Sequence, residues 1–306
     1  MTMPTLLDVA KLNGNDAVVG LIDESVQYTP EVALGYSRSI KGLNYKGLIR
    51  TANPTASFRN ANEGTAVDKA SHEQRLWECF ILNPQWECDK AVAATHEDGA
   101  EAYIALEGGA MMNAAFLALA KQFYYGTGTG GDTKGFPGLI NAYDSTNMVV
   151  DAGGTTADTG SSVWFLKWGP QHVGWLWGND AQLELSEVTE VRLTDDSSNP
   201  YLAYHQELLA RPGLQVGHIK SVGRIKKLTA DSGKGLTDAR MFDAFNRFPA
   251  GFKPDMCFMS RRSREQLRAS RTATNPTGAP APTPTDWEGV PIYATDALSD
   301  EEALTL

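Results

Sequence analysis

The run Gly126-Thr127-Gly128-Thr129-Gly130-Gly131-Asp132-Thr133-Lys134-Gly135 holds the arrangement in this sequence that most resembles a phosphate grip. Gly126, Gly128 and Gly131 satisfy the letters GxGxxG. A dinucleotide fingerprint, however, follows a strand and opens a helix, so that the helix N-terminus meets the pyrophosphate. Here the glycines follow a helical pattern and lead into Phe136-Pro137-Gly138. A Walker A loop fails too, because Lys134 is followed by Gly135 where a Ser or Thr has to hold magnesium. An enzyme using this turn for phosphate stays a minor rival. The five histidines, His72, His96, His172, His205 and His218, fall into no metal spacing, and no GxSxG elbow is present. The cysteines Cys79, Cys88 and Cys257 form no CxxC pair and are too few for a zinc site, which fits folding in a reducing setting. The acid pairs Asp195-Asp196 and Glu301-Glu302 fall in predicted loops or at the terminus, where solvation accounts for them, and a glycosidase-type pair among 37 acids would leave no signature in spacing. No residue receives a catalytic, cofactor-binding or metal role, and the protein reads as a non-enzyme.

Charge is the next lead. Lys plus Arg number 27 and Asp plus Glu 37, giving a net charge of -10. That disfavours a uniformly basic nucleic-acid binder and leaves room for a local basic face. From Lys220 to Arg271 thirteen basic residues accompany five acidic ones, and Arg261, Arg262, Arg264, Arg268 and Arg271 form the densest part. At helical spacing Arg261, Arg264 and Arg268 share a face. They suit salt-sensitive contact with DNA phosphates or, slightly favoured, ion pairs with acidic stretches of neighbouring copies such as Asp296 to Glu302. Tryptophans offer a third chemistry. Val163 to Trp168 and Val173 to Trp177 flank Gly169-Pro170-Gln171-His172 and read as an aromatic hairpin. Trp164, Trp175 and Trp177 would suit a carbohydrate platform, but sheet packing is the stronger reading.

The elements that must position these groups follow from periodicity and caps. Thr5 caps a short helix, Leu6 to Leu12, which Asn13-Gly14 stops, and Val18, Val19, Leu21, Ile22 and Val26 form a second apolar patch. The pair reads as a docking arm. From Lys41 to about Arg75 glycines and asparagines punctuate a polar run in which Tyr45, Leu48, Ile49 and Phe58 stand out. This predicts a long two-stranded excursion that contacts a neighbour, since disordered segments are poor in such residues. Residues from about Glu97 to Tyr124 read as a helix about 40 Å long with Met112, Phe116, Leu119 and Phe123 on its core stripe, bent or closely packed at Gly108-Gly109. Strands are expected between Leu183 and Leu228. Thr237 caps a helix with Leu236 and Met241 as its staple and Met241, Phe242, Phe245 and Phe248 on one stripe. Met256 to Met259 reads as a buried strand, Ser260 caps the arginine helix, and Trp287 to Ala294 forms a closing strand with Pro291 at an edge or entry position.

The stretch Gly108 to Ala120 falls short of the roughly 20 residues a spanning helix needs, and Asp8 interrupts any signal peptide, so a soluble protein without membrane contact is expected.

Four local stretches carry a resemblance to a known family: Phe58-Arg59-Asn60-Ala61-Asn62-Glu63-Gly64, Phe123-Tyr124-Tyr125-Gly126 through Leu139, Met256 to Arg262, and Gly289-Val290-Pro291-Ile292 with Asp296-Ala297-Leu298. Together with the order of the elements they resemble the tailed-bacteriophage major capsid protein, whose fold encapsulin shells share. The resemblance covers nearly the whole chain. It implies an α+β fold with an N-terminal arm (1–40), an extended loop (41–76), a peripheral domain with a long spine helix (77–135), an axial domain with returning peripheral strands (136–286), and a closing strand and tail (287–306). It implies self-assembly into hexamers and pentamers of an icosahedral shell in a virion, made in the bacterial cytoplasm, with no cofactor. Tyr45, Leu48, Ile49, Phe58 and Arg59 would contact neighbouring subunits, and Leu6, Leu7, Val9 and Leu12 would dock the arm. Further partners would be a separate scaffold protein, since no long N-terminal extension is present, a portal protein at one vertex, a decoration protein, and packaged double-stranded DNA. Some relatives crosslink through Lys–Asn bonds. Lys41, Lys46 and Lys69 lie in the loop, but no partner or acid is identifiable and no crosslink is expected. An encapsulin-type nanocompartment is the alternative.

Overall fold

The computed structural model describes residues 3–12, 27–143, 147–181, 183–276 and 278–304. In chain order these form helices α1 (Leu6–Leu12) and α2 (Pro30–Leu34), strands β1 (Ser37–Ser39), β2 (Asn44–Ala52), β3 (Ser71–Glu78) and β4 (Gln85–Asp89), then helices α3 (Lys90–Ala93), α4 (Ala100–Tyr125) and α5 (Leu139–Tyr143). Strands β5 (Val149–Asp151), β6 (Ser161–Leu166), β7 (Val173–Trp177), β8 (Glu184–Leu185), β9 (Thr189–Thr194), β10 (Pro200–Leu209), β11 (Pro212–Val216) and β12 (Val222–Leu228) follow. Helix α6 (Asp238–Asn246), β13 (Met256–Met259), α7 (Arg261–Thr274), β14 (Asp286–Trp287) and β15 (Val290–Ala294) complete the chain.

A six-stranded mixed sheet, β14-β15-β13-β6-β12-β5, is the centre of the body. Strand β6 is buried at every position because both faces of the sheet are covered. Alternate side chains therefore serve two cores. Trp164 and Leu166 join Phe258, Val222 and the end of α4, whereas Val163 and Phe165 join Ile225, Met259 and residues of α6 and α7. Thr237 and Ser260 cap α6 and α7 through their side-chain oxygens, as their positions in the sequence imply. Leu236 and Met241 are buried together in the second core, while Phe242 stays 45% exposed and rests edge-on against Trp287.

The expected aromatic hairpin does not form. Strand β7 pairs with β1 and β11 in a separate three-stranded sheet, and β6 stays in the large one. The turn at 169–172 is real, with the Gly169 N–H donating to the Val173 carbonyl at 3.1 Å. It carries the chain from one sheet to the other because Trp164, Trp168 and Trp175 all gather around Phe123 and Tyr124 of α4, a cluster that a flat two-stranded ladder could not close. Trp164 and Trp175 are fully buried, which overturns the carbohydrate-platform reading.

Helix α4 runs unbroken for 26 residues, about 39 Å. Its buried row is Met111, Ala115, Leu119 and Phe123, one position away from the expected Met112 and Phe116. Ala115 and Met111 pack on Leu208 of β10, and a Cβ at Gly108 would approach Gln206 Oε1 at 3.2 Å. The sheet β4-β10-β9 thus selects the row, and Phe116 stays 38% exposed. By length and composition alone α4 would suffice to cross a membrane, contrary to the reading of residues 108–120. Here its last turns are instead enclosed by the first core, with Leu119 to Tyr125 on its inner side.

The predicted arm divides. Residues 27–40 belong to the body: Val32 packs on the first core and β1 pairs parallel with β7. Asn13-Gly14 and the patch Val18, Val19, Leu21, Ile22 and Val26 lie outside the described residues.

Candidate contact surfaces

Strands β2 and β3 form an antiparallel hairpin joined to no other sheet, pairing from Asn44–Glu78 to Ala52–Ser71 with an irregularity near Arg50. Every residue from 51 to 69 is exposed. The hairpin's own apolar face is narrow. Tyr45 stacks on Trp77 with ring centroids 5.8 Å apart, and Gly47 lies beneath the same indole, where a Cβ would come within 2.5 Å of it. Tyr45 also takes a hydrogen bond from Arg38, so this predicted contact residue anchors the hairpin to its own body. Ile49 shares that half-buried face, while Leu48 points away and is 75% exposed. Phe58 at the tip is fully exposed. The tip is shaped by polar bonds: the Thr55 N–H donates to Asp68 across the loop at 2.8 Å, and Arg59 donates to the Glu63 carbonyl at 2.8 Å. Asn62 takes a left-handed φ of 66° between them, a conformation Asn tolerates better than most residues.

Helix α1 is closed at its start by a reciprocal pair, in which Thr5 N–H and Oγ1 both donate to the Asp8 carboxylate at 2.9 and 2.7 Å. Val9 is buried with Cys88, Ala93 and Tyr103, so α1 docks on its own chain, while Leu6 and Leu7 remain 60% and 67% exposed. The Leu12 side chain lies outside the described residues.

The arginines of α7 are mostly engaged within the chain. Arg261 pairs with Asp296 at 2.7 Å, Arg262 lies 3.4 Å from Asp300, and Arg271 grips Asp238 with two nitrogens. Arg268 donates to the Ala281 carbonyl and to Glu265. The acidic stretch expected to come from a neighbouring copy is thus met inside the same chain. Arg264 is half-buried and has no ion pair among the described residues.

The glycine run is closed upon itself. Gln122 Nε2 donates to the carbonyls of Asp132 and Phe136, and its Oε1 accepts from the Asp132 N–H. Asn141 Oδ1 takes the N–H groups of Thr127 and Gly138 at 3.1 Å each. A Cβ at Gly126 or Gly131 would meet backbone at 2.0 Å. Most of the N–H groups of the run, those of Gly126, Thr127, Gly128, Gly131, Asp132, Lys134 and Gly135, are committed within the protein, which leaves the phosphate reading without support.

The largest departure from expectation is at the C-terminus. Glu302, read as solvated, is 5% exposed. Its carboxylate accepts from Ser162 Oγ at 2.6 Å and from the Tyr125 hydroxyl at 2.8 Å, and Arg224, 1% exposed, lies 3.7 Å away. Burial pushes the Glu302 carboxyl up, against the pull of Arg224 and the two hydroxyls. The residues come from β12, β6, α4 and the tail, so no local spacing links them. The one signal was Arg224 amid the apolar alternation of β12.

A family model described as "Major capsid protein GP7" matches residues 37–305. No curated protein matches in sequence. Among solved structures the chain is similar to a structure of bacteriophage Epsilon15, with a TM-score of 0.73 and 20% identity over 99% of this chain and 98% of that one. It is also similar to the capsid of Myoviridae phage XM1, with a TM-score of 0.47 and 13% identity over 71% and 97% of the two chains. The holo-SrpI encapsulin complex of Synechococcus elongatus PCC 7942 gives a TM-score of 0.47 and 8% identity over 76% and 98%. The Epsilon15 likeness establishes a shared fold, and the two weaker ones carry no argument.

Proposed function

The chain belongs to the major capsid protein GP7 family, and from that premise we propose that hairpin 41–76 and helix α1 are the parts by which copies clasp one another into hexamers and pentamers of an icosahedral shell around double-stranded DNA. The observation that carries the reading is the hairpin: eight paired residues of β2 lead to a tip that is exposed throughout and carries a bare phenylalanine. A single chain gains nothing by presenting Leu48, Phe58 and Val67 to water, whereas a neighbour's surface would bury them. Tyr45 and Ile49 set the hairpin's angle from one side, and Leu48, Phe58 and Arg59 are the contact residues proper. In α1, Val9 holds the helix and Leu6 and Leu7 face outward for a second copy. Interfaces of this head-to-tail kind close into rings when the rotation fits.

On the same reading residues 77–135 form the peripheral domain, 136–286 the axial domain with peripheral strands returning to it, and 287–306 the closing segment. A separate scaffold protein, a portal at one vertex and a decoration protein are further partners, and subunits are made in the bacterial cytoplasm before entering the virion. Net acidity on the wall lets packed DNA slide, and Arg264 with the outer parts of Arg261, Arg262, Arg268 and Arg271 offers the phosphate contacts. An encapsulin-type compartment would share this fold, but the family match is to a capsid protein. Electron microscopy of the expressed chain with its scaffold tests the reading. Closed shells are expected from the intact chain, and normal shells from a chain lacking residues 43–69 would overturn the hairpin's role.

A further inference from the structure

Glu31 is a fully buried acid at the point where the N-terminal segment enters the body. One carboxyl oxygen, Oε1, accepts from Thr295 Oγ1 at 3.0 Å. The other, Oε2, is buried and has no hydrogen-bond partner among the described residues. The Tyr124 hydroxyl of α4, also buried and without a partner among the described residues, lies within electrostatic reach of it. Trp175 of β7 closes the site by donating its indole N–H to the Glu31 carbonyl at 3.1 Å. The remaining titratable neighbour is Asp296, an acid already bound to Arg261 and to the Tyr28 N–H. Cys257 of β13 and Tyr125 are the other titratable neighbours of Tyr124. Among the described residues no cation pairs with Glu31. A buried carboxylate in such surroundings holds its proton, and burial pushes this one up to about 7.

We propose that Glu31 is a proton-gated latch for the N-terminal segment: protonated, it seats residues 27–35 between α4 and the 295–298 loop, and ionised, it loosens them. The same few residues lead directly into β1. Losing the proton would place a bare charge beside Asp296 and beneath Trp175, and the nearest way to rehydrate it is to lift α2, a helix of five residues. The latch is a property of one chain. Only its use, setting the freedom of a clasping arm, rests on the capsid reading.

Hydrogen exchange of the full-length chain, read on peptides spanning residues 27–36 and corrected for intrinsic rates, tests it between about pH 5 and about pH 8. Protection of these amides is expected to fall at least roughly tenfold as the pH rises from about 5 to about 7 and to level off above that, while β6 and β13 stay protected, and Glu31→Gln should make the profile flat. An identical pH profile in the wild type and Glu31→Gln would overturn the latch. If that variant does not fold, infrared spectroscopy of the wild-type chain decides: a protonated-carboxyl band that titrates near neutrality supports it, and its absence overturns it. Neither readout depends on shells forming, so a failure of the capsid reading would show separately, as absence of particles.

Discussion

The hairpin and the junction around α4 use their residues in opposite ways. In β2 and β3 and the tip between them, apolar side chains stand in water: Leu48, Phe58, Val67 and Leu76 are all at least half-exposed or close to it. Around Tyr124 and Tyr125, ionisable side chains stand out of water: Glu31, Arg224 and Glu302 are at most 5% exposed. The first arrangement is unfavourable for a lone chain and is relieved by a partner. The second is tolerable only when partners within the chain, or a retained proton, compensate the burial. A shell subunit needs both, a body that keeps its shape and projections that complete themselves on a neighbour.

The strongest way to break the comparison is to shorten the hairpin. Replacing residues 54–68 by a short glycine turn should abolish closed shells in micrographs while leaving the subunit's unfolding midpoint nearly unchanged, because no core residue lies in that stretch. A large fall in subunit stability would show that the tip belongs to the body. Next comes the junction. Arg224→Met leaves Glu302 buried without its cation and should cost about 3–5 kcal/mol in denaturant unfolding, with the double change Arg224→Met plus Glu302→Leu recovering much of it. An additive double variant would deny the coupling. Stability should also depend on pH through Glu31. A carboxyl raised from 4.5 to about 7 keeps its proton in the folded chain after the unfolded one has lost it. Its contribution is therefore full below about 4.5 and falls as the pH rises towards about 7, and Glu31→Gln should remove that slope from a melting series. Phe58→Ser should weaken shells to dissociation by denaturant without moving the isolated subunit's midpoint, a gentler version of the first test. Arg261→Ala is expected to do least, under about 1 kcal/mol, since Arg261 is 70% exposed and its pair with Asp296 is in contact with solvent.

Much of this architecture was legible in the residues. Thr5, Thr237 and Ser260 marked three helix starts correctly, because a cap is a contact between groups three residues apart. The hairpin was legible as a stretch rich in glycine and asparagine with too few apolar positions to fold onto anything. Reading a second hairpin at 163–177 failed for a reason of the same kind. A turn signal between two apolar runs specifies that the chain reverses, but not whether the two runs pair or enter different sheets. On α4, Leu119 and Phe123 are buried as expected, but the two earlier positions of the stripe shift by one to Met111 and Ala115, since Met111 and Met112 are equally apolar and β10 made the choice. In the contact surfaces Leu48 and Phe58 are exposed, whereas Tyr45 proved to be tied to Arg38 and Trp77, and the arginines of α7 found their acids at Asp296, Asp300 and Asp238.

What the sequence determined by itself was therefore whatever depends on neighbours along the chain: caps, turns, the length of α4, and a hairpin with nothing of its own to bury. Tertiary structure alone decided which charges lie inside. Glu302 meets Ser162 and Tyr125 across 140 and 177 residues, and Glu31 meets Thr295 across 264. The free energy of a buried charge is set by the few groups within hydrogen-bond reach of it, and those groups have no fixed spacing in the sequence.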